Sequence, residues 1–209
     1  MEAKSVKITI DNIVCSAKEG ATVLDAALDN GIYIPHLCSH ENLKPAGACG
    51  MCVVIQQGVD GVIKSCSTKV AEGMVIETRS ELAEKMRALA SDLIFKTHPS
   101  ECTNCPKYGK CQLQSILQYV GDTGRKLKAN PILTPADKTN PMILHEMYRC
   151  ILCGRCVRAC QDMRGVGAIK FKKIDGRVRV VVNGDDLNAS GCRLCAAFVY
   201  ICTICTILE

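Results

Sequence analysis

The chain has 209 residues, a formal charge of +5, 48% hydrophobic residues, few aromatics, no Trp and 16 cysteines. That length holds one to three small domains with buried cores. No apolar run reaches the roughly 18 residues of a membrane span, and cysteine at this density leaves two explanations, a disulfide framework or metal ligation.

Residues 1–79 read as mostly β. Val6, Ile8 and Ile10 alternate with polar residues, Asp11-Asn12 signals a turn, and Ile13-Val14-Cys15 is the return strand. Thr22 caps a short helix, Val23 to Asn30, that Gly31 ends. Val53-Val54-Ile55 and Met74-Val75-Ile76 are further strands, so the unit is a small sheet with one helix across it. Cys15 lies in a strand and is expected in the core.

Residues 80–121 form a second unit. Leu82, Met86, Leu89, Leu93 and Ile94 recur at helical spacing between Ser80 and Thr97, which predicts an amphipathic helix with those residues on its buried face. A second helix runs from Gln112 to Val120 and stops at Gly121. Residues 122–143 hold Pro131, Pro135 and Pro141 among Lys, Thr and Asn and read as an extended connector. The last unit, 144–209, has cysteines at both ends and a hairpin, Phe171 to Val182, around Asp175-Gly176.

Met1-Glu2-Ala3-Lys4-Ser5-Val6 contains no apolar h-region, so the expectation is a cytoplasmic chain whose thiols stay reduced. Dense cysteine then points to metal. The +5 charge is weak evidence for nucleic acid, because metal clusters would offset it. An oxidised cluster on four thiolates carries −2, and one on three thiolates and a neutral His carries −1. Three or four such clusters contribute about −5 to −7.

The cysteines fall into sets. Cys38, Cys49, Cys52 and Cys66 follow C-x10-C-x2-C-x13-C. Small residues in Pro45-Ala46-Gly47-Ala48-Cys49-Gly50 let backbone N–H groups approach sulfur. Four cysteines in a β unit suit a [2Fe–2S] centre, and tetrahedral zinc accepts the same four thiolates. His98, Cys102, Cys105 and Cys111 follow H-x3-C-x2-C-x5-C. Cys150, Cys153, Cys156 and Cys160 form the bacterial ferredoxin run, C-x2-C-x2-C-x3-C, in which the fourth Cys serves a second cluster. The partner run, Cys192, Cys195, Phe198 and Cys202, has Phe where its third Cys belongs, and Cys205 follows.

Tyr33-Ile34-Pro35-His36-Leu37-Cys38, Gly47-Ala48-Cys49-Gly50-Met51-Cys52 and Cys66 resemble the N-terminal ferredoxin domain shared by the large iron–sulfur subunit of complex I, the [FeFe] hydrogenases and the diaphorase small subunit of NAD-reducing hydrogenases. The spacing of His98, Cys102, Cys105 and Cys111 is similar to a [4Fe–4S] site of those families with one His and three Cys. Cys153-Gly154-Arg155-Cys156 and Arg164-Gly165-Val166-Gly167-Ala168 resemble them too. The resemblance implies an α+β chain: a β-grasp [2Fe–2S] domain, a small helical cluster domain and a two-cluster ferredoxin-like domain.

It also implies one [2Fe–2S] and two to three [4Fe–4S] clusters, with Cys150, Cys153, Cys156 and Cys202 as one complete set. Cys160, Cys192 and Cys195 would form another. Its fourth ligand could be Cys205, or the site could hold a [3Fe–4S] cluster or stay empty.

No nucleophile with a nearby base and no flavin or NAD motif is present; Gly165-x-Gly167 lacks the fingerprint's third Gly and reads as tight backbone beside a cluster. The expected role is single-electron transfer. One partner would be a flavoprotein subunit holding FMN and NAD(P)H. The other would be a catalytic subunit of hydrogenase, formate dehydrogenase, transhydrogenase or complex I type. A stand-alone ferredoxin and a structural zinc module are the alternatives. Arg149, Arg155, Arg158, Arg164, Lys170, Lys172 and Lys173 are expected on a solvated surface that balances cluster charge rather than as a docking patch for an acidic ferredoxin. His36 is expected to be structural and His40 to lie on the surface.

Overall fold

A computed structural model describes residues 4–121, 137–140, 143–202, 204 and 206–208. The N-terminal hairpin joins β1 (Ser5–Ile10) to β2 (Ile13–Lys18) through Asp11 and Asn12, both at positive φ. The helix α1 (Val23–Asp29) starts in a capping box: the Thr22 hydroxyl oxygen accepts from the Asp25 N–H, and the Asp25 carboxylate accepts from the Thr22 N–H. Then come β3 (Val53–Gln56), β4 (Val62–Lys64) and β5 (Val75–Glu77). The sheet order is β2-β1-β5-β3-β4, with β1 and β5 parallel and the other pairs antiparallel. Ile8, Ile10 and Ile76 from the sheet pack on Val23, Leu24 and Ala27 of α1, with Cys15, fully buried, among them.

Helix α2 (Glu81–Thr97) is present as expected, but the other way round. Its buried residues are Ala83, Arg87, Ser91, Asp92 and Phe95, whereas Leu82, Met86, Leu89 and Leu93 face solvent and Ile94 is half-buried. The cause lies in the neighbour. Arg87 donates from Nε to the Met51 carbonyl (3.1 Å) and from Nη2 to the Val53 carbonyl (2.6 Å). A Cβ on Gly50 would lie 3.1 Å from Cβ of Ala90. Near Gly50 the loop leaves room for little more than a small side chain, and Arg87 fits because it satisfies the loop's carbonyls.

Helix α3 (Gln112–Val120) buries Leu113 and Ile116 and ends at Gly121, whose φ is +82°. Part of the predicted connector is strand: β6 (Asp137–Asn140) and β7 (Ile143–His145) pair, and β10, the last strand (Thr206–Leu208), pairs with β7 on its other side. Between them lie helix α4 (Arg155–Arg158), which runs into a π-helical turn at Ala159–Met163, the hairpin of β8 (Ile169–Ile174) and β9 (Arg177–Val182), and helix α5 (Ala197–Ile201). The pairing of Thr206 with His145 draws the segment after Cys202 back beside the segment before Cys150. The whole is α+β. No helix among the described residues is long and apolar enough to cross a membrane.

Candidate metal centres

Cys38, Cys49, Cys52 and Cys66 meet at one end of the five-stranded sheet. Cys38, Cys52 and Cys66 are almost wholly buried. Their thiols share hydrogen bonds, Cys38 with Cys49 and Cys66, and Cys52 with Cys66. Those bonds hold the Cys38 thiol far below the usual range and bring Cys52 down to about 7, while the same bonds push Cys49 and Cys66 up. The four therefore titrate as a set. The Ala48 N–H donates to Cys38 Sγ at 3.3 Å. Gly50, at φ +70°, makes the turn of Cys49-Gly50-Met51-Cys52 where a side chain would also collide with α2.

His98, Cys102, Cys105 and Cys111 line a second cavity of about 310 Å³ with Phe95, Leu113, Leu117 and Arg149. His98 terminates α2, Cys102 opens a 3-10 turn, and Cys111 is the residue before α3. The imidazole is 6% exposed. Its Nδ1 lies 2.9 Å from the Arg149 carbonyl. A carbonyl only accepts, so Nδ1 carries the proton and Nε2 keeps a lone pair with which it could bind a metal. Burial lowers the His98 pKa, which keeps the ring neutral. The Arg149 guanidinium is in turn held by Glu146 (Nε to Oε2, 2.9 Å).

Cys150, Cys153, Cys156 and Cys202 line a third cavity of about 360 Å³, with Leu37, Ile151, Gly154, Arg155 and Ile204. Burial raises the Cys153 thiol to about 11 and pushes Cys156 higher. Cys160, Cys192 and Cys195 line a fourth, of about 280 Å³, with Val166, Ala168, Ile169, Arg193, Ala197 and Phe198. The Ala168 N–H donates to Cys160 Sγ at 3.2 Å. Gly165 and Gly167 (φ +64° and +67°) bend the chain so that the Val166 N–H reaches the Cys160 carbonyl. Cys205 lies outside the described residues.

Every other predicted ligand thus falls beside its expected partners. Among the described residues no group of His, Cys, Asp or Glu is arranged to hold a single metal ion. Three of the sets line cavities, and the soft thiolate and imidazole donors of all four suit iron–sulfur clusters.

Three of the basic residues read as solvated surface are not; Arg149, half-buried, lines the second cavity and pairs with Glu146. Arg155, buried, donates to Gln112 Oε1 (2.9 Å) and to the Ser39 carbonyl. Arg158 donates to the carbonyls of Lys44, Cys38 (2.6 Å) and Cys153 (3.4 Å). They clamp the loop of the first set to the third. Arg164, Lys170, Lys172 and Lys173 are exposed as expected. His36 binds the Ile34 carbonyl through Nδ1 (2.8 Å); His40 is half-buried rather than on the surface, and accepts from the Asn42 N–H. Neither lines one of these cavities. Arg87 had no signal in the sequence beyond an arginine between apolar residues, and nothing in the motif around Arg155 and Arg158 announced the carbonyls they reach.

Three family models match in order: a 2Fe-2S iron-sulfur cluster binding domain over residues 3–81, the NADH-ubiquinone oxidoreductase-G iron-sulfur binding region over 87–124, and the ferredoxin-like domain of NADH-quinone oxidoreductase subunit 3 over 140–190. A G-type subunit of NADH-quinone oxidoreductase from Rhizobium meliloti is 32% identical over 95% of this chain and 23% of its own length. The mitochondrial 78 kDa subunit of NADH-ubiquinone oxidoreductase from Neurospora crassa is 37% identical over 77% of this chain and 22% of its own. The chain thus spans under a quarter of these relatives. A chain in the crystal structure of an NAD+-reducing [NiFe]-hydrogenase in the H2-reduced state superposes with a TM-score of 0.88 at 28% identity, covering 99% of this chain and 88% of that one. With a cysteine set beginning in each matched region, this chain is an iron–sulfur electron-transfer module of the NADH-quinone oxidoreductase G and NAD-reducing hydrogenase type.

Proposed function

We propose that the chain is a non-catalytic subunit that passes single electrons through a row of clusters, between a flavoprotein partner holding FMN and NAD(P)(H) and a distal catalytic subunit, in a cytoplasmic complex. Cys38, Cys49, Cys52 and Cys66 hold a [2Fe–2S] cluster. His98, Cys102, Cys105 and Cys111 hold a [4Fe–4S] cluster, as do Cys150, Cys153, Cys156 and Cys202. Cys160, Cys192 and Cys195 serve a further one. The units are 1–79, 80–121 and 144–209, with 122–143 between the last two.

The observation that supports this most is that the sets adjoin one another through short bonded links. His98 reaches the Arg149 carbonyl, one peptide before Cys150. Arg158 bridges the carbonyls of Cys38 and Cys153. The clusters supply one-electron redox chemistry when bound. The protein's part is to set their spacing, exclude water and place N–H groups near sulfur.

Anaerobic addition of NADH or NADPH, with and without the co-purified flavoprotein, tests the role. Cluster absorbance should bleach only when the flavoprotein is present. Bleaching of the isolated chain by the nucleotide, or no bleaching in the complex, contradicts the reading.

A further inference from the structure

The last unit contains an internal repeat that goes beyond cysteine spacing. In the first run Leu152 stands at φ +56° and Gly154 at φ +70°, followed by α4. In the second Leu194 stands at φ +51° and Ala196 at φ +54°, followed by α5. The Leu152 N–H donates to Cys150 Sγ, and the Leu194 N–H to Cys192 Sγ, both at 3.4 Å. The two loops therefore share one conformation, and each position has a counterpart. Cys150 matches Cys192, Cys153 matches Cys195, Cys160 matches Cys202, and Cys156 matches Phe198.

Phe198 is 4% exposed and lines the cavity that Cys160, Cys192 and Cys195 share. By the repeat it stands where a thiolate would be delivered, at the fourth corner. Among the described residues three sulfurs remain, two of them receiving backbone N–H bonds. The rest of the cavity's lining, Val166, Ala168, Ile169, Arg193 and Ala197, offers no metal-ligating side chain for a fourth corner. An iron there would need water or hydroxide beside the Phe198 ring. This corner does not fit a cuboidal four-iron cluster, while the other three do.

We infer that Cys160, Cys192 and Cys195 hold a [3Fe–4S] cluster, and that Phe198 sets its nuclearity by closing the fourth corner. The inference rests on the proposed cluster reading of this chain and narrows it at one site.

The test uses the anaerobically purified complex, with EPR on the oxidised and reduced protein and iron analysis. Before any reductant, the wild type should show the signal of an oxidised three-iron cluster, and mild reduction should remove it. Phe198→Cys should abolish that signal, add one iron per chain and produce an additional four-iron signal on reduction. Cys205→Ala should leave the wild-type spectrum unchanged. The inference is overturned by an oxidised wild type lacking the three-iron signal, whether the site is empty or complete. It is equally overturned by a signal that persists in Phe198→Cys, which would mark damage at another site, or by its loss in Cys205→Ala. Absence of the signals from the other three sites as well would instead sink the cluster reading itself.

Discussion

Arg87 joins two parts of the molecule with a single side chain. It is 2% exposed and satisfies two carbonyls beside the first cysteine set. Removing it leaves both acceptors buried and unpaired, which costs about 2–4 kcal/mol. Arg87→Met should therefore lower the denaturant midpoint markedly, whereas Leu89→Gln and Leu93→Gln, on the exposed face, should stay within about 0.5 kcal/mol. Chemical unfolding of the three variants checks this, and the ranking is the reverse of what a hydrophobic pattern suggests. His98 acts at the same scale. As the proposed ligand, its imidazole would make that cluster less negative than four thiolates would. His98→Cys should retain a cluster and move that centre's reduction potential downward in a redox titration; an unchanged potential would remove His98 from the ligand set.

Among the elements, α4 and α5 begin from left-handed residues, Gly154 and Ala196. Glycine takes φ +70° without strain, and alanine at φ +54° costs about 1 kcal/mol. Ala196→Gly should thus raise the thermal midpoint modestly, or at least leave it unchanged, in a calorimetric scan of the holo-protein. A clear drop would mean that the Ala196 methyl contributes more by packing than its backbone costs. The elements also separate what was readable from what was not. The hairpin around Asp11-Asn12, the Thr22 cap and the hairpin around Asp175-Gly176 rest on local chemistry, and each appears where that chemistry puts it. Helix α2 was legible as a helix and not as a face, because its orientation depends on the carbonyls of Met51 and Val53, which lie far away in sequence. Strand β4 is only three residues long and carries little alternation.

At the scale of the whole molecule, the structure gathers the cysteine sets that spacing and resemblance suggested, with Cys160 and Cys202 crossing between the two runs of the last unit. What spacing alone does not supply is how the sets join. Arg155 and Arg158 cross from the last unit to the carbonyls of Ser39, Lys44 and Cys38, and the β7–β10 pairing draws the chain's end back to Cys150. Those links are long-range and polar, so no periodicity announces them. They also make the sets neighbours within one body, which is the arrangement single-electron hopping needs. The most direct test is a reductive titration of the anaerobic protein followed by EPR, with iron and acid-labile sulfide measured on the same sample. A brown protein giving separate signals from one [2Fe–2S] and at least two [4Fe–4S] centres is the predicted result. A colourless protein containing zinc, or one giving a single cluster signal, would contradict it.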